Sequence, residues 1–238
     1  MNIGKKDNTV QGAVYYILRE GIMTLRLSPG TVMSTQEMAN RMKVSRTPVR
    51  EAFIRLQREG LVDIVPQKET MVSRINLKRV EEERFIRESL ELAVVEHFVK
   101  KITSQDVWRL KANIEKQKMF CEQKKYAEFV GCDNQFHEIL FEAAGQRLSW
   151  ETIMSVNGHY NRIRVLTVQT EKTMRGTIEQ HEKIVALIEK GLIDQGLIEQ
   201  IKVEMTDHVK KLLYEKEELL QQYPGYFEEE TTGIHLQL

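Results

Sequence analysis

The sequence predicts a mainly α-helical protein: an N-terminal winged helix-turn-helix with a small β-hairpin, followed by an all-α helical bundle. Three observations carry this. Residues 34–75 hold two short helical patterns with almost no turn between them, and hairpin alternation after them. From residue 77 onward apolar residues recur at helical spacing, and no strand-like alternation of any length appears. Charge is also divided. Residues 1–75 carry 12 Lys/Arg against 7 Asp/Glu, a net +5, and the remainder carries 23 against 28, a net −5, in a chain of formal net charge +0. A basic front on an acidic rear points to a polyanionic partner for the front alone.

A chain of 238 residues, 41% hydrophobic and 29% charged, has room for two globular domains. The pattern divides it into a DNA-binding type of head at 1–75, a helical domain at 76–222 and a tail at 223–238 that has lost the helical period and reads as mobile. Two cysteines, Cys121 and Cys132, exclude a disulfide framework and suit a reducing compartment. The start, MNIGKKDNTV, has no apolar signal core, and no stretch reaches membrane-span length. The expected location is the cytoplasm, with no membrane partner.

In the head, Val14, Ile17, Leu18, Ile22 and Leu25 predict a first helix over 11–26, stopped by Ser28-Pro29-Gly30. Ser34 with Glu37 forms a capping-box pattern, and Met33 and Met38 stand at the staple positions, so a second helix covers 34–42. Lys43-Val44 leaves little room for a turn. Ser45 can cap a third helix, Pro48 sits in its first turn, and Gly60 is placed to end it. LVDIV (61–65) and TMVSRI (70–75) alternate around PQKE as a hairpin.

The second helix of such a unit fits the major groove with its N-terminal residues nearest the base edges. Arg46 and Thr47 lie at that tip and Arg50 one turn further, and the arginine fork suits guanine or phosphate. The plainer alternative is a solvated helix whose arginines pair with Glu51 and Glu59. Residues 15–72 resemble the winged-helix domain of the GntR family of bacterial transcription regulators, most specifically in VSRTPVREA (44–52) and LQREGLV (56–62). The resemblance implies DNA contacts from Arg46 and Arg50, phosphate contacts from Ser45 and Thr47, and a wing near the minor groove carrying Gln67 and Lys68. Glu69 stands where the family commonly has glycine, and a carboxylate there would meet phosphate repulsion. The implied partner is double-stranded DNA, bound by a homodimer on an inverted-repeat operator.

The rear reads as six helices, over 77–101, 104–123, 125–144, 148–168, 174–190 and 196–220. Asp133 and His137 share one helical face, while His181 and His208 lie on two further helices. One carboxylate and three imidazoles could coordinate a metal facially, and such a nitrogen-rich set suits divalent Zn, Ni, Mn or Fe rather than Ca or Mg. The same spacing is frequent on exposed helices, and scattered histidines more often satisfy core or surface needs. His97, His159 and His235 have no such grouping, though His159 could face a cavity.

The order DNQFH, an AAG break, HEKIVALIEKG and MTDH resembles the FCD-type ligand-binding domain of the FadR-like branch of that family, and six helices fit its shorter, VanR-like version. The resemblance implies metal ligation by Asp133, His137, His181 and His208. It also implies a small organic acid effector beside the metal, with Arg87, Arg162 and Arg164 as candidate partners, at most one of the last two pointing inward. The interval from His181 to His208 is longer than the family's, around LIDQG (192–196). Placed in a loop, those extra residues leave the register of His208 intact. The expected function is a transcription regulator, a repressor and no enzyme, controlled by that effector. The alternatives are an all-helical metal-dependent hydrolase, with Glu138 or Glu182 as its base, and a regulator whose metal is structural or itself the signal.

Overall fold

The computed structural model of the chain describes residues 9–65, 69–191, 195–210 and 216–228. The head begins with α1 (Val10–Met23), whose first turn is capped by the Thr9 side chain accepting from the Gly12 amide. After it come β1 (Val32–Met33), α2 (Thr35–Met42), α3 (Arg46–Arg58), β2 (Val62–Val65) and β3 (Glu69–Val72). Ser34 accepts from the Glu37 amide, the first half of the anticipated capping box, and Met33 and Met38 are both buried in the head's core. Lys43 adopts the left-handed conformation at φ 55°, which lets α2 pass into α3 within three residues. Ser45 holds the N-cap position of α3 but makes no side-chain cap bond, leaving its hydroxyl at the surface.

The hairpin pairs β2 with β3 antiparallel, from Val62↔Val72 to Val65↔Glu69. β1 joins the other edge of β3 to give the order β1-β3-β2. That third strand escapes a sequence reading because two residues carry no period. Leu18, Ile22, Val49, Phe53, Leu56 and Leu61 form the head's core, fed by the apolar stripes of α1 and α3.

The rear half holds α4 (Leu77–Val99), α5 (Ser104–Glu122), α6 (Tyr126–Ala144), α7 (Arg147–Val156), α8 (Gly158–Thr167), α9 (Glu171–Gly191), a 3-10 turn (Gln195–Leu197), α10 (Ile198–Lys210) and α11 (Lys216–Gln222). This corrects the six-helix reading. The span 148–168 divides at Asn157 because the His159 and Tyr160 amides both donate to Glu83 Oε2 at 2.8 Å, an N-terminal cap supplied by α4. The span 196–220 holds both α10 and α11 among the described residues. α5 packs on α6 and α9, and α4 packs on α6, α8 and α10.

A third apolar cluster joins the two halves: Ile75, Val80, Tyr160, Ile163, Leu219 and Phe227. It corrects the reading of a mobile tail for residues 223–228. Ile75 donates to the Tyr226 carbonyl at 2.7 Å, Glu228 donates back to Ile75 at 3.0 Å, and Phe227 is buried. One aromatic anchor suffices without any helical period; residues 229–238 lie outside the described residues. α8 is buried at every position, wedged between head and bundle. A Cβ on Gly158 would meet Leu61 Cδ2 at 2.8 Å, so a larger residue there would have to shift the Leu61 side chain. No helix among the described residues is long and apolar enough to cross a membrane.

Candidate functional site

On the head, α3 turns Val49, Ala52, Phe53 and Leu56 inward and leaves Ser45, Arg46, Thr47 and Arg50 exposed at and near its N-terminus. Neither Arg46 nor Arg50 has an ion-pair partner among the described residues, so the alternative of self-paired arginines does not describe them. Arg55 is different. It lies over the Tyr15 ring at 3.6 Å and 3.8 Å from Glu59, turned back onto the protein. Gln67 and Lys68 lie outside the described residues, and Glu69 is exposed on β3.

In the rear, α6 contributes Asp133 and His137, α9 contributes His181 and α10 contributes His208. One potential ligand atom from each lies within 4.8 Å of those of all the others. His137 Nε2 is 3.1 Å from His208 Nε2, which is 3.3 Å from His181 Nε2. Asp133 Oδ1 is 3.7 Å from Nε2 of both His181 and His208, and Oδ2 is 3.7 Å from Nε2 of His137. The lengthened interval before His208 has therefore not displaced it. Residues 192–194 are outside the described residues, and α10 begins beyond them.

Which nitrogens carry the protons follows from a chain of bonds anchored on the backbone. Asn113 Nδ2 donates to the Cys132 carbonyl at 3.0 Å, so its Oδ1 faces Gln117 and accepts from Gln117 Nε2 at 2.7 Å. Gln117 Oε1 is thereby left to accept from His181 Nδ1 at 2.8 Å. Gln180 Oε1 sits 3.3 Å from His208 Nδ1. Glu91 Oε2 sits 3.0 Å from His137 Nδ1, an ion-pair distance without good hydrogen-bond alignment. The acceptors at Nδ1 of His181 and His208 leave each of their Nε2 atoms a lone pair toward the common centre, and Glu91 faces Nδ1 of His137. Two such lone pairs 3.3 Å apart, on His181 and His208, repel unless something positive lies between them. Donors bonded to one ion at about 2.0–2.2 Å stand roughly 3–3.5 Å apart, which the separations of His208 Nε2 from those of His137 and His181 match. The donor set fits a divalent transition metal, and its outer partners are those that orient metal-bound imidazoles.

The electrostatics agree. Burial pushes His181 down to about 3, with Asp133 opposing, and burial likewise lowers His208 well below the ordinary imidazole value. Both rings are neutral. Burial works to raise the Asp133 carboxyl, but Arg164 and the imidazoles outweigh it and hold the group well below the carboxylate range. Burial opposes ionisation of Glu91 too, yet His137 and Arg87 bring it down to about 2. Phe136 stacks on the His181 ring at 4.0 Å and fixes its plane.

Beside the cluster is a cavity of about 30 Å³ lined by Arg87, Asp133, Arg164, Thr173, Thr177 and His208, among others. Arg164 bonds Asp133 Oδ2 and donates to Asn134 Oδ1 at 2.6 Å; Arg87 bonds Glu91 at 2.7 Å and lies 3.6 Å from Asp133. Arg162 turns the other way, donating to the Ser73 carbonyl at 2.6 Å, which removes it from the effector candidates. His159 accepts from the Asn76 amide at 3.0 Å and faces this junction, not the cavity. Glu182 pairs with Lys118 near the surface, and Glu138 lines a separate cleft between head and bundle. Cys121 and Cys132 are both free and buried. The sequence reading missed Glu91, Gln117 and Gln180. Only Glu91 left a signal, four residues after Arg87 on one helical face.

Comparison with known proteins gives the context. Residues 10–72 match the model of the bacterial regulatory proteins of the gntR family, and residues 84–196 match the FCD domain. The chain is 31% identical over 221 residues to the HTH-type transcriptional repressor RspR of Escherichia coli K12, spanning 93% of this chain and 95% of that one. It is 34% identical over 178 residues to an uncharacterised HTH-type regulator of Streptomyces ambofaciens, covering 75% of each. Among solved structures, E. coli McbR/YncC superposes with a TM-score of 0.75 at 21% identity over 90% of this chain and 99% of that one, a likeness of fold. A basic recognition helix on a winged head, these matches along both halves and the relatives' shared role lead to one conclusion: the chain belongs to the GntR family and is a DNA-binding transcriptional regulator with an FCD domain behind its head.

Proposed function

We propose that this regulator is a repressor whose operator affinity is set by a small organic acid bound beside a divalent transition metal held by Asp133, His137, His181 and His208. The convergence of three buried imidazoles on one carboxylate, with an acceptor beside each Nδ1, carries this reading. A bound cation with open positions would supply a Lewis-acidic anchor for a carboxylate or hydroxyl oxygen. Arg164 and Arg87 offer forked donors to the same anion, and Thr173 and Thr177 stand on the facing wall. The cavity is small, so the acid is small or draws Arg164 away from Asp133.

On the head, Arg46 and Arg50 reach base edges or phosphates, and Ser45 and Thr47 offer hydroxyls to the backbone. The free hydroxyl of Ser45 supports this, since no cap bond consumes it. A homodimer on an inverted repeat in cytoplasmic DNA completes the reading. Phe85, 66% exposed beside Ile86 on α4, is apolar surface that a second copy would cover. The relative RspR is named a repressor, which supports the sign of regulation.

Elemental analysis of the purified protein, joined to mass spectrometry of co-purifying small molecules, tests this. About one transition-metal ion per chain and a small acid lost with it are expected. A chain that takes up no metal, from the cell or from added zinc, would overturn the reading.

A further inference from the structure

Between the cluster and the head runs a buried chain of side-chain bonds through α8. Arg164 spans Asp133 and Asn134, donating to the Asn134 Oδ1 at 2.6 Å. Asn134 Nδ2 donates to Asn161 Oδ1 at 3.2 Å, and Asn161 Nδ2 donates to the carbonyl of Met23 at 3.2 Å. Met23 is the last residue of α1, so its carbonyl is one that the helix itself leaves unpaired. A side chain of the helical domain thus caps the first helix of the DNA-binding head. One residue on, Arg162 holds Ser73, whose hydroxyl donates at 2.6 Å to the carbonyl of Gly60, where the recognition helix ends.

We propose that Asn161 is the residue through which occupancy of the Asp133–histidine cluster changes the seating of the head. The inference rests on the metal reading above and names how that site is coupled to DNA binding. Asp133 is shared: Oδ1 faces His181 and His208, while Oδ2 faces His137 and is held by Arg164. A cation beside the three Nε2 atoms lies close to a buried guanidinium, and like charges in that low-dielectric setting drive Arg164 off its present partners. Asn134 Oδ1 then loses its donor, its amide turns, and Asn161 releases the Met23 carbonyl. α8 is buried along its length, so it cannot absorb the change by bending into solvent. Both termini of the relay are discrete bonds, made or broken, which is what coupling between distant sites requires.

Hydrogen exchange of the full chain with and without zinc reads this directly. Wild type is expected to show a change of about threefold or more in exchange rate at residues 24–28 and 60–73 when zinc binds. Asn161→Ala should bind zinc at least as tightly as wild type by calorimetry, since binding no longer breaks the bond to Met23, yet lose that response. Asn134→Ala, which spares the bond to Met23, should lose it too and decides the matter if Asn161→Ala folds poorly. Zinc binding with the head's response intact in the variants overturns the relay. Zinc binding to wild type with no response in the head also overturns it but leaves the metal site standing. No zinc binding to wild type overturns the metal reading itself and the relay with it.

Discussion

His137 and His208 stand 71 residues apart in sequence on separate helices, yet their Nε2 atoms meet at 3.1 Å. A divalent cation held by both nitrogens would tie the two helices together. Zinc at about 100 times its dissociation constant should raise stability by roughly 2.7 kcal/mol. Thermal unfolding before and after chelation measures this. His208→Ala should abolish the zinc response while leaving the head folded. An undiminished response would show that His208 is not a ligand.

The exposed tip of α3 gives a prediction independent of the metal. Arg46→Ala and Arg50→Ala should each weaken operator binding by about 1–3 kcal/mol, as for loss of a bidentate contact. Their melting temperatures should not move measurably, since both side chains are exposed and bond nothing in the described residues. Arg55→Ala is the control. That guanidinium packs on Tyr15, so its loss should lower stability more than DNA affinity. A gel shift on a duplex from the chain's own promoter region, with melting curves, separates the two effects.

The contrast among these arginines shows how far the sequence could be read. Hydrophobic period placed the recognition helix, because α3 must bury Val49, Phe53 and Leu56 on one stripe. The four metal-ligand candidates were legible in part: Asp133 and His137 share a helical face, His181 and His208 stand on separate predicted helices, and the resemblance strengthened a grouping that spacing alone left weak. Arg162 and Arg164 were not separable, being two residues apart on a helix buried all round, where no polar face exists to tell in from out. The outer partners were hidden for another reason. Gln117 reaches His181 across 64 residues of chain, a contact that only tertiary packing creates. The break at Asn157 was hidden likewise, since Glu83 caps α8 from another helix.

Acid should unfold the helical domain in a defined window. Against the cost of burial, His137 and Arg87 bring Glu91 down to about 2 from the ordinary carboxylate value of 4.5. The unfolded chain therefore takes up this proton first as pH falls. Its contribution is complete above about pH 4.5 and drains away between there and pH 2. Glu91→Gln should flatten the stability profile across that interval. Urea unfolding at several pH values checks it, and an unchanged slope in the variant would assign the acid sensitivity elsewhere.

The end of the described chain offers a last test, of the junction. Phe227 is buried against Ile75 and its neighbours, with backbone bonds from Tyr226 and Glu228 on either side of Ile75. Phe227→Ala removes a buried aromatic, a change that costs about 3–5 kcal/mol in a rigid core and less where the chain end can relax. The head's own core does not include Phe227, so its packing should survive. What should suffer is the connection, residues 73–77, which Phe227 and Arg162 clamp from two sides. Limited proteolysis should then cut within 73–77 well before either half, whereas the wild-type chain resists there. Equal resistance in wild type and variant would mean that the Arg162–Ser73 bonds hold the junction without help from the chain end.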